Sequence, residues 1–274
     1  MRVMLIKLAL GIVALGPPTA AATTQDGGAA EVYVLAGQSN MSGRGSLDEL
    51  TPAEEEADPA IRVYGNDGVW KEGIEPLDDA RKQVDAVSAD AQAGVGPGLF
   101  FAREIHRLRR RPIIVIPCAK GGSSIGRWKP AEARDTLYGS CLARIREAGG
   151  RVSGILWYQG ESDADTPERA GRWAQTFTAL VAQFRKDLGQ AKLPIAFVQI
   201  ADPARSRDRA VKYPAWIQLQ NAQRKVALPC VTMVAAAGLP LNQDELHLTT
   251  EAHRSLGIKL ARTMDQLQRR RCAG

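Results

Sequence analysis

Five short apolar segments, separated by stretches with helical spacing, constrain the fold of this chain more than any other feature. The segments are continuously apolar and rich in β-branched and aliphatic residues, and they cover residues 31–36, 112–117, 152–158, 194–200 and 230–235. Continuous apolarity, as opposed to alternation, is typical of strands that are covered on both faces. The five segments therefore predict the buried strands of a parallel sheet.

The stretches between the segments predict helices that cover both faces of this sheet. Phe101, Ile105 and Leu108 share one face of residues 99–110, and similar apolar faces occur around residues 216–226 and 252–267. Because strand and helix alternate, right-handed crossovers are expected. The predicted fold class is α/β, a three-layer α/β/α architecture with a five-stranded parallel sheet.

Two polar regions interrupt this alternation. Residues 43–98 are punctuated by Pro and Gly and are too long for a simple connection, so we expect them to wall a site. Residues 201–212 are rich in arginine and follow the fourth predicted strand, at the end of the sheet where ligands bind in such folds. The pattern favours a solvated loop there, with a substrate-facing lid as the alternative.

The amino terminus has the features of an export signal. Residues 1–22 combine a basic start, a short apolar run over residues 8–15 and small residues ending at Ala22. The apolar run is far shorter than the roughly 20 residues that span a bilayer. We expect a signal peptide over 1–22, a single domain over 23–274, secretion or a periplasmic location, and no membrane association after cleavage.

Export would place the four cysteines, Cys118, Cys141, Cys230 and Cys272, in an oxidising compartment. Two disulfides are then expected, and the sequence leaves all three possible pairings open. The chain has only three histidines and no CxxC pair, so we expect no metal and no other cofactor.

The basic charge gives little support for a nucleic-acid partner. Removal of Arg2 and Lys7 with the signal lowers the formal net charge from +6 to +4. The remaining arginine clusters, residues 109–111 and 269–271, lie at the ends of predicted helices, where cations interact favourably with the helix dipole. No aromatic residues are interleaved with them, so we expect no nucleic-acid binding.

The residues that follow the predicted strands could form a hydrolytic site. Ser39 comes directly after the first strand, and Gly37 permits the tight turn that would present its hydroxyl. His247 lies three residues after Asp244, close enough for that carboxylate to orient the imidazole. These residues supply a nucleophile, a general base and an orienting acid, although Ser39 could alternatively cap a following helix.

Two other enzyme classes lack their motifs in this chain. No serine fits the G-x-S-x-G pattern of α/β-hydrolases, and the phosphate-binding loop G-x-x-x-x-G-K-[ST] is absent. Neither the α/β-hydrolase fold nor phosphoryl transfer is therefore favoured.

Several motifs together resemble the sialate O-acetylesterase-like branch of the SGNH hydrolases, which includes carbohydrate esterase family 6. The motifs are Gly37-Gln38-Ser39-Asn40-Met41, Gly96-Pro97-Gly98, Lys120-Gly121-Gly122-Ser123-Ser124, Trp157-Tyr158-Gln159-Gly160-Glu161-Ser162 and Asp244-x-x-His247. They occur in the family's order from residue 32 to about residue 267. The resemblance implies a flavodoxin-like fold and hydrolysis of acetyl esters on carbohydrates without a cofactor.

The resemblance also implies residue roles. Ser39 matches the nucleophile, His247 the base, Asp244 the acid, and Gly122 the oxyanion donor, with the Ser39 amide as another donor. Most SGNH hydrolases have Asn as a further oxyanion donor where this chain has Gln159, so Gln159 is a candidate for that role. Glu161 is a second candidate to orient His247, although Asp244 is favoured because its three-residue spacing fixes its reach.

Four further residues have two possible interpretations. His253 is a rival base, but no acid precedes it at the required spacing, so a surface or boundary position is favoured. His106 fits a helix surface. Trp128 and Trp157 could stack on sugars, and core packing is the better interpretation for Trp157, which lies within a strand.

These patterns predict an exported serine esterase that removes O-acetyl groups from a carbohydrate through an acetyl-enzyme. Two alternatives are an SGNH-type lipase or thioesterase and a non-catalytic carbohydrate-binding module with the same fold. The acetylated sugar and the oligomeric state are not specified by the sequence.

Overall fold

The computed structural model describes residues 29–79, 81, 83–90, 92, 94–270 and 272. The predicted signal peptide lies outside these described residues. Seven strands form one sheet: β1 Glu31–Gly37, β2 Asp58–Tyr64, β3 Trp70–Gly73, β4 Ile113–Pro117, β5 Val152–Tyr158, β6 Ile195–Gln199 and β7 Val231–Ala235, in the order β3-β2-β4-β1-β5-β6-β7.

Within the described residues, five larger α-helices and three short ones accompany the sheet. The larger ones are α3 Gly98–Arg109, α4 Leu137–Ala148, α5 Pro167–Asp187, α7 Trp216–Arg224 and α8 Thr250–Arg269; the short ones are α1 Ser39–Ser42, α2 Pro52–Glu55 and α6 Arg207–Lys212. Helices cover both sides of the sheet, with α3 packed against α8 and α5 packed against α7. The predicted α/β class is confirmed.

The five predicted strands are β1, β4, β5, β6 and β7, and they pair in parallel in the order β4-β1-β5-β6-β7. This is the flavodoxin-like order, in which the second strand of the chain lies outside the first. All of these strands except β7 are almost wholly buried, as their continuous apolarity predicts.

The prediction of five strands is wrong, because the region 43–98 contributes two more. β2 pairs in parallel with β4, and β3 pairs antiparallel with β2 at the sheet edge. Both strands have mixed exposure, and β2 begins with Asp58 and Pro59, so neither has the continuous apolarity of the inner strands. β3 is the edge strand, and β2 pairs with β4 only over residues 61–63, so neither strand is enclosed along its whole length.

Two disulfides show which of the three possible cysteine pairings occurs. Cys118, just after β4, is bonded to Cys141 in α4, and Cys230, just before β7, is bonded to Cys272 beyond α8. Within the described part of the chain, no helix is long and apolar enough to cross a membrane.

Candidate active site

Ser39 is presented by a tight turn at the carboxyl end of β1. Gly37 ends the strand with φ 133°, and the next amide, that of Gln38, donates to the carbonyl of Tyr158 at 2.8 Å. The chain then enters α1, with Ser39 as its first residue. The hydroxyl therefore lies at the edge of the sheet, and Ser39 begins the helix instead of capping it.

His247 lies in a compact loop between β7 and α8. Asp244 shapes this loop, because its Oδ1 accepts the amides of Leu246 and His247, each at 3.0 Å. Asn242 adds two backbone bonds: its amide donates to the His247 carbonyl at 2.7 Å, and its carbonyl accepts the Glu245 amide at 2.9 Å. These hydrogen bonds lie within the loop and hold its shape independently of its contacts with the rest of the site.

The structure brings Ser39, His247 and Asp244 into one hydrogen-bonded line. His247 Nε2 is 2.9 Å from Ser39 Oγ, and His247 Nδ1 is 2.5 Å from Asp244 Oδ2. Ser39 and His247 are 208 residues apart in the sequence and meet because β1 and β7 end at the same edge of the sheet. The arrangement can activate a hydroxyl, since an ionised Asp244 fixes the tautomer that leaves Nε2 free to accept a proton.

The electrostatics of this line keep the imidazole neutral and the carboxylate ionised. Burial lowers the pKa of His247 below its ordinary value, outweighing Asp244, which raises it; Arg44 and Arg209 lower it further. Burial raises the pKa of Asp244, but the backbone amides of His247 and Leu246 and the imidazole outweigh this effect, so the pKa is lowered. A neutral base beside an ionised acid results.

Gly122 lies in a turn that is attached to the β1 end. The Lys120 amide and the Ser123 hydroxyl both donate to the Gly37 carbonyl, at 3.1 and 3.3 Å. Gly122 has φ 66°, a left-handed conformation that favours glycine, and a Cβ there would meet open space. The predicted oxyanion residue thus borders the solvent next to the nucleophile turn.

The structure does not bring Gln159 to the surface of the site, which corrects its assignment as an oxyanion donor. The side chain is fully buried, and its amide nitrogen donates to Asp163 at 2.5 Å and to the Ser123 carbonyl at 3.1 Å. Its oxygen accepts the indole N–H of Trp173 at 2.7 Å. With donor and acceptor used internally, Gln159 joins the strand ends together.

Glu161 also differs from its predicted role, because it forms no hydrogen bond with His247. Its Oε1 accepts from the side-chain amide of Asn40 at 2.7 Å. The carboxyl is buried, and burial raises its pKa to about 7. Glu161 begins a 3-10 turn shortly after β5, and its side chain contacts Asn40 in α1.

Neither of the other two histidines forms a hydrogen bond with Ser39 in the part of the chain that the structure describes. His253 is fully buried in α8, so the interpretation as a surface or boundary residue is wrong. Its position follows from the apolar face of α8, which includes Leu256 and Leu260. His106 lies in the last turn of α3, partly exposed, with Nδ1 2.7 Å from the Arg111 carbonyl.

Neither candidate tryptophan is available to a sugar. Trp128 and Trp157 are both 1% exposed and contact each other edge to face, with ring centroids 4.9 Å apart. The core interpretation is confirmed for Trp157, and the same burial corrects the sugar-stacking alternative for Trp128.

Sequence patterns missed two features of the site. Arg44 pairs with Asp90 at 2.8 Å, and Asp90 also accepts the Gly121 amide at 2.7 Å, so the region 43–98 supports the Gly122 turn. A groove that reaches Leu246, the neighbour of His247, is lined by Arg209 and Ala210 of α6 and by Tyr213 and Ile217. Its only sequence signal was the position of residues 201–212 after β6, since α6 itself has no buried residue.

The flavodoxin-like sheet with serine, histidine and aspartate at its carboxyl edge defines an SGNH-type hydrolase fold. Residues 29–266 match the model of the family described as carbohydrate esterase, sialic acid-specific acetylesterase. The chain belongs to this family. It is therefore a carboxylic ester hydrolase and not a non-catalytic binding module.

Known proteins support this assignment. A probable carbohydrate esterase from Arabidopsis thaliana is 35% identical over 248 residues, which cover 84% of this chain and 88% of the relative. A solved structure of an Arabidopsis thaliana protein has a TM-score of 0.73 at 32% identity, covering 86% of this chain and 98% of the other. A carbohydrate acetylesterase from Xanthomonas citri shares the fold, with a TM-score of 0.65 at 24% identity over 86% of this chain and 56% of the other.

Proposed function

We propose that this esterase removes O-acetyl groups from carbohydrates through a covalent acetyl-enzyme. Ser39 Oγ attacks the acetyl carbonyl carbon while His247 Nε2 takes the hydroxyl proton. The tetrahedral intermediate collapses, the bond to the sugar oxygen breaks, and His247 returns the proton to that oxygen. Water then attacks the acetyl-enzyme by the same route and releases acetate and free Ser39.

The observation that carries this proposal is the 2.9 Å contact between Ser39 Oγ and His247 Nε2, with Asp244 on the other ring nitrogen. The negative charge of the intermediate needs donors that are not otherwise used. The Ser39 amide qualifies, because the first amide of a helix has no intrahelical acceptor. The amide of Gly122, in the adjoining turn, is the second donor.

The decisive test replaces Ser39 by alanine and measures acetate release from an aryl acetate and from acetylated glycans. We expect the rate to fall by several orders of magnitude. Mass spectrometry of the wild-type protein, quenched during turnover, should find one added acetyl group on the peptide that contains Ser39. Wild-type turnover by Ser39→Ala would overturn the proposal.

The sugar should lie in the groove beside His247, because Leu246, the neighbour of His247, forms part of its wall. Tyr213 offers a partly exposed ring on which a sugar can pack. Tyr213→Ala should raise KM for an acetylated sugar and leave turnover of an aryl acetate unchanged. Val211→Ala is the matched control, since Val211 is 72% exposed in α6 and does not line the groove.

Arg209 places a positive charge in the wall of this groove, which also includes the carboxylate of Glu245. Its guanidinium makes no ion pair within the described residues, yet it lowers the pKa of His247, so its charge acts at the site. A sugar with its own carboxylate, such as an O-acetylated sialic acid, would complement this charge. Arg209→Gln should reduce the preference for acetylated sialic acid over acetylated xylan; an unchanged preference would exclude the acidic sugar.

The protein is also proposed to act outside the cytoplasm. The two cysteine pairs support this, since disulfides form and persist in oxidising compartments. Detection in the periplasm or medium of a form that begins near residue 23 would test it; an uncleaved form in the cytoplasm would oppose it.

A further inference from the structure

Asn40, the residue after Ser39, binds the chain on both sides of His247. Its Oδ1 accepts the amide of Leu248 at 2.9 Å, and its Nδ2 donates to the carbonyl of Leu246 at 3.1 Å. Asn40 is fully buried in α1. One side chain therefore fixes the backbone that carries the imidazole relative to the helix that carries the nucleophile.

The second hydrogen of the Asn40 amide goes to Glu161 at 2.7 Å. Asn40 is the one side chain that donates to this carboxyl among the described residues, and Glu161 Oε2 has no partner there. The charged and titratable side chains that act on Glu161 are Asp163, which raises its pKa, and Tyr158, whose own pKa is raised by Glu161. Burying a carboxyl without a cation beside it costs free energy of folding. The side-chain contact that this carboxyl makes with Asn40 therefore needs a functional explanation.

We propose that Asn40 and Glu161 are positioning residues: Asn40 holds His247 at hydrogen-bond distance from Ser39, and Glu161 holds the Asn40 amide in the orientation that does so. This inference rests on the proposed serine mechanism, because it concerns the distance between the nucleophile and its base. It assigns Glu161 an indirect effect on His247, through Asn40.

The geometry explains why such positioning residues are needed. Ser39 Oγ and His247 Nε2 belong to segments 208 residues apart, so local chain geometry cannot set their distance. Asp244 orients the ring within its own loop, but it makes no bond to α1. Asn40 is in the same helix as Ser39 and is bonded to Leu246 and Leu248. A shift of α1 therefore moves the nucleophile and these two bonds together.

The loop should still fold without Asn40, which makes the inference testable. Asn242 keeps its backbone bonds to His247 and Glu245, and its side chain donates to the carbonyls of Arg44 and Leu248, each at 3.2 Å. Asn40→Ala is therefore expected to remain folded and to lose precision at the site. A displacement of about 1 Å between reacting groups can cost about 100-fold in rate.

The experiment compares Asn40→Ala, Glu161→Ala and Glu161→Gln in steady-state hydrolysis of an aryl acetate. Asn40→Ala should lower kcat by about 100-fold while KM stays near the wild-type value, because no contact with substrate is removed. Glu161→Ala should lower kcat by a smaller factor. Glu161→Gln should restore most of the rate, since a glutamine oxygen can still accept from Asn40.

Gln190→Ala provides the matched control. Gln190 is also a buried amide, and it donates to the carbonyl of Val152 at 2.8 Å, at the opposite end of β5 from the site. This variant should lose stability, measured by thermal unfolding, without loss of kcat. A general effect of losing a buried amide would instead lower kcat in both proteins.

The pH dependence of kcat/KM provides a readout that a loss of stability would not change. Burial is the main cause that lowers the pKa of His247; Asp244 opposes it, and Arg44, Arg209 and buried His253 are the charged or titratable groups around it. Loosening the loop in Asn40→Ala should admit water to the imidazole. The acid limb should then shift upward, toward the ordinary histidine pKa.

The results separate this inference from the proposed mechanism. Wild-type kcat in Asn40→Ala, or equal kcat in Glu161→Ala and Glu161→Gln, would overturn the positioning role even if Ser39→Ala is inactive. Full activity of Ser39→Ala would overturn the mechanism itself. If Asn40→Ala fails to fold, the two Glu161 variants decide, because they keep the Asn40 side chain and change only the group that orients its amide.

Discussion

Replacement of His253 by leucine should stabilise the protein, and more so in acid. His253 is fully buried, and neither ring nitrogen has a hydrogen-bond partner among the described residues. Burial, with smaller contributions from the charges of His247 and Arg44, lowers its pKa to about 3. Leucine is similar in size and removes two unpaired polar atoms, so we expect a gain of about 1–3 kcal/mol near neutral pH.

The acid dependence follows from linkage. Above about pH 6.5 the imidazole is neutral in the folded and unfolded states, so it adds no dependence on pH. Below that value the imidazole binds a proton in the unfolded chain but not in the folded protein. The free energy of unfolding therefore falls until the pH nears the folded pKa of about 3. At about pH 5 the loss amounts to about 2 kcal/mol, and His253→Leu avoids it.

Urea unfolding, followed by tryptophan fluorescence at about pH 8 and about pH 5, measures this effect. Comparison of the variant with the wild type is essential, because Glu75 and Asp78, whose pKa values burial raises to about 8 and about 7, oppose the histidine in acid. Their contributions cancel in the difference. His106→Leu is the control, since water reaches that ring. An equal stability difference between His253→Leu and wild type at both pH values would refute the reasoning.

Three further predictions follow from particular contacts. The acid limb of kcat/KM should lie below about pH 6.5, because burial lowers the pKa of His247 and only the neutral imidazole accepts a proton; a limb above that value in a pH profile would contradict this. Gly37→Ala should abolish both folding and esterase activity in expression and turnover assays, because its Cβ would overlap the carbonyl of Tyr158 at a φ of 133°. Replacement of Cys118 and Cys141 by serine should cost about 3 kcal/mol in denaturant unfolding, since the bond closes a loop with a sequence separation of 23; unchanged stability would mean that the bond does not form.

The inner strands could be predicted from sequence because burial on both faces requires a continuously apolar segment. The strand at 152–158 was predicted at its observed bounds, since nearly every residue in it is enclosed. Strands β2 and β3 have no continuously apolar segment, because exposed and buried residues mix in them as they do in loops. The pairing of β2 with β4 and of β3 with β2 determines that they are strands, and a single sequence does not reveal these pairings.

The same distinction applies to the site. Asp244 and His247 were predictable because three residues of chain fix their separation, and Ser39 because glycine and a buried strand precede it. The orientations of Gln159 and Glu161 were not predictable. Each side chain had several possible partners at the strand ends, and only the tertiary structure shows that Asp163, Trp173 and Asn40 take them.

Uncharged amides hold the strand ends together, and this has a consequence for the chemistry. The Gln38 side-chain oxygen accepts the amides of Gly160 and Ser162, each at 3.3 Å, and Gln223 accepts the Ile200 amide at 3.0 Å while donating to the Gln159 carbonyl at 3.2 Å. An amide satisfies donors and acceptors without adding charge, so these bonds to backbone groups fix the strand ends and introduce no titratable group. The balance between His247 and Asp244 is set by burial, by the backbone amides that Asp244 accepts, by their mutual contact and by nearby arginines, while Gln38 and Gln223 hold the strand ends with groups that do not titrate.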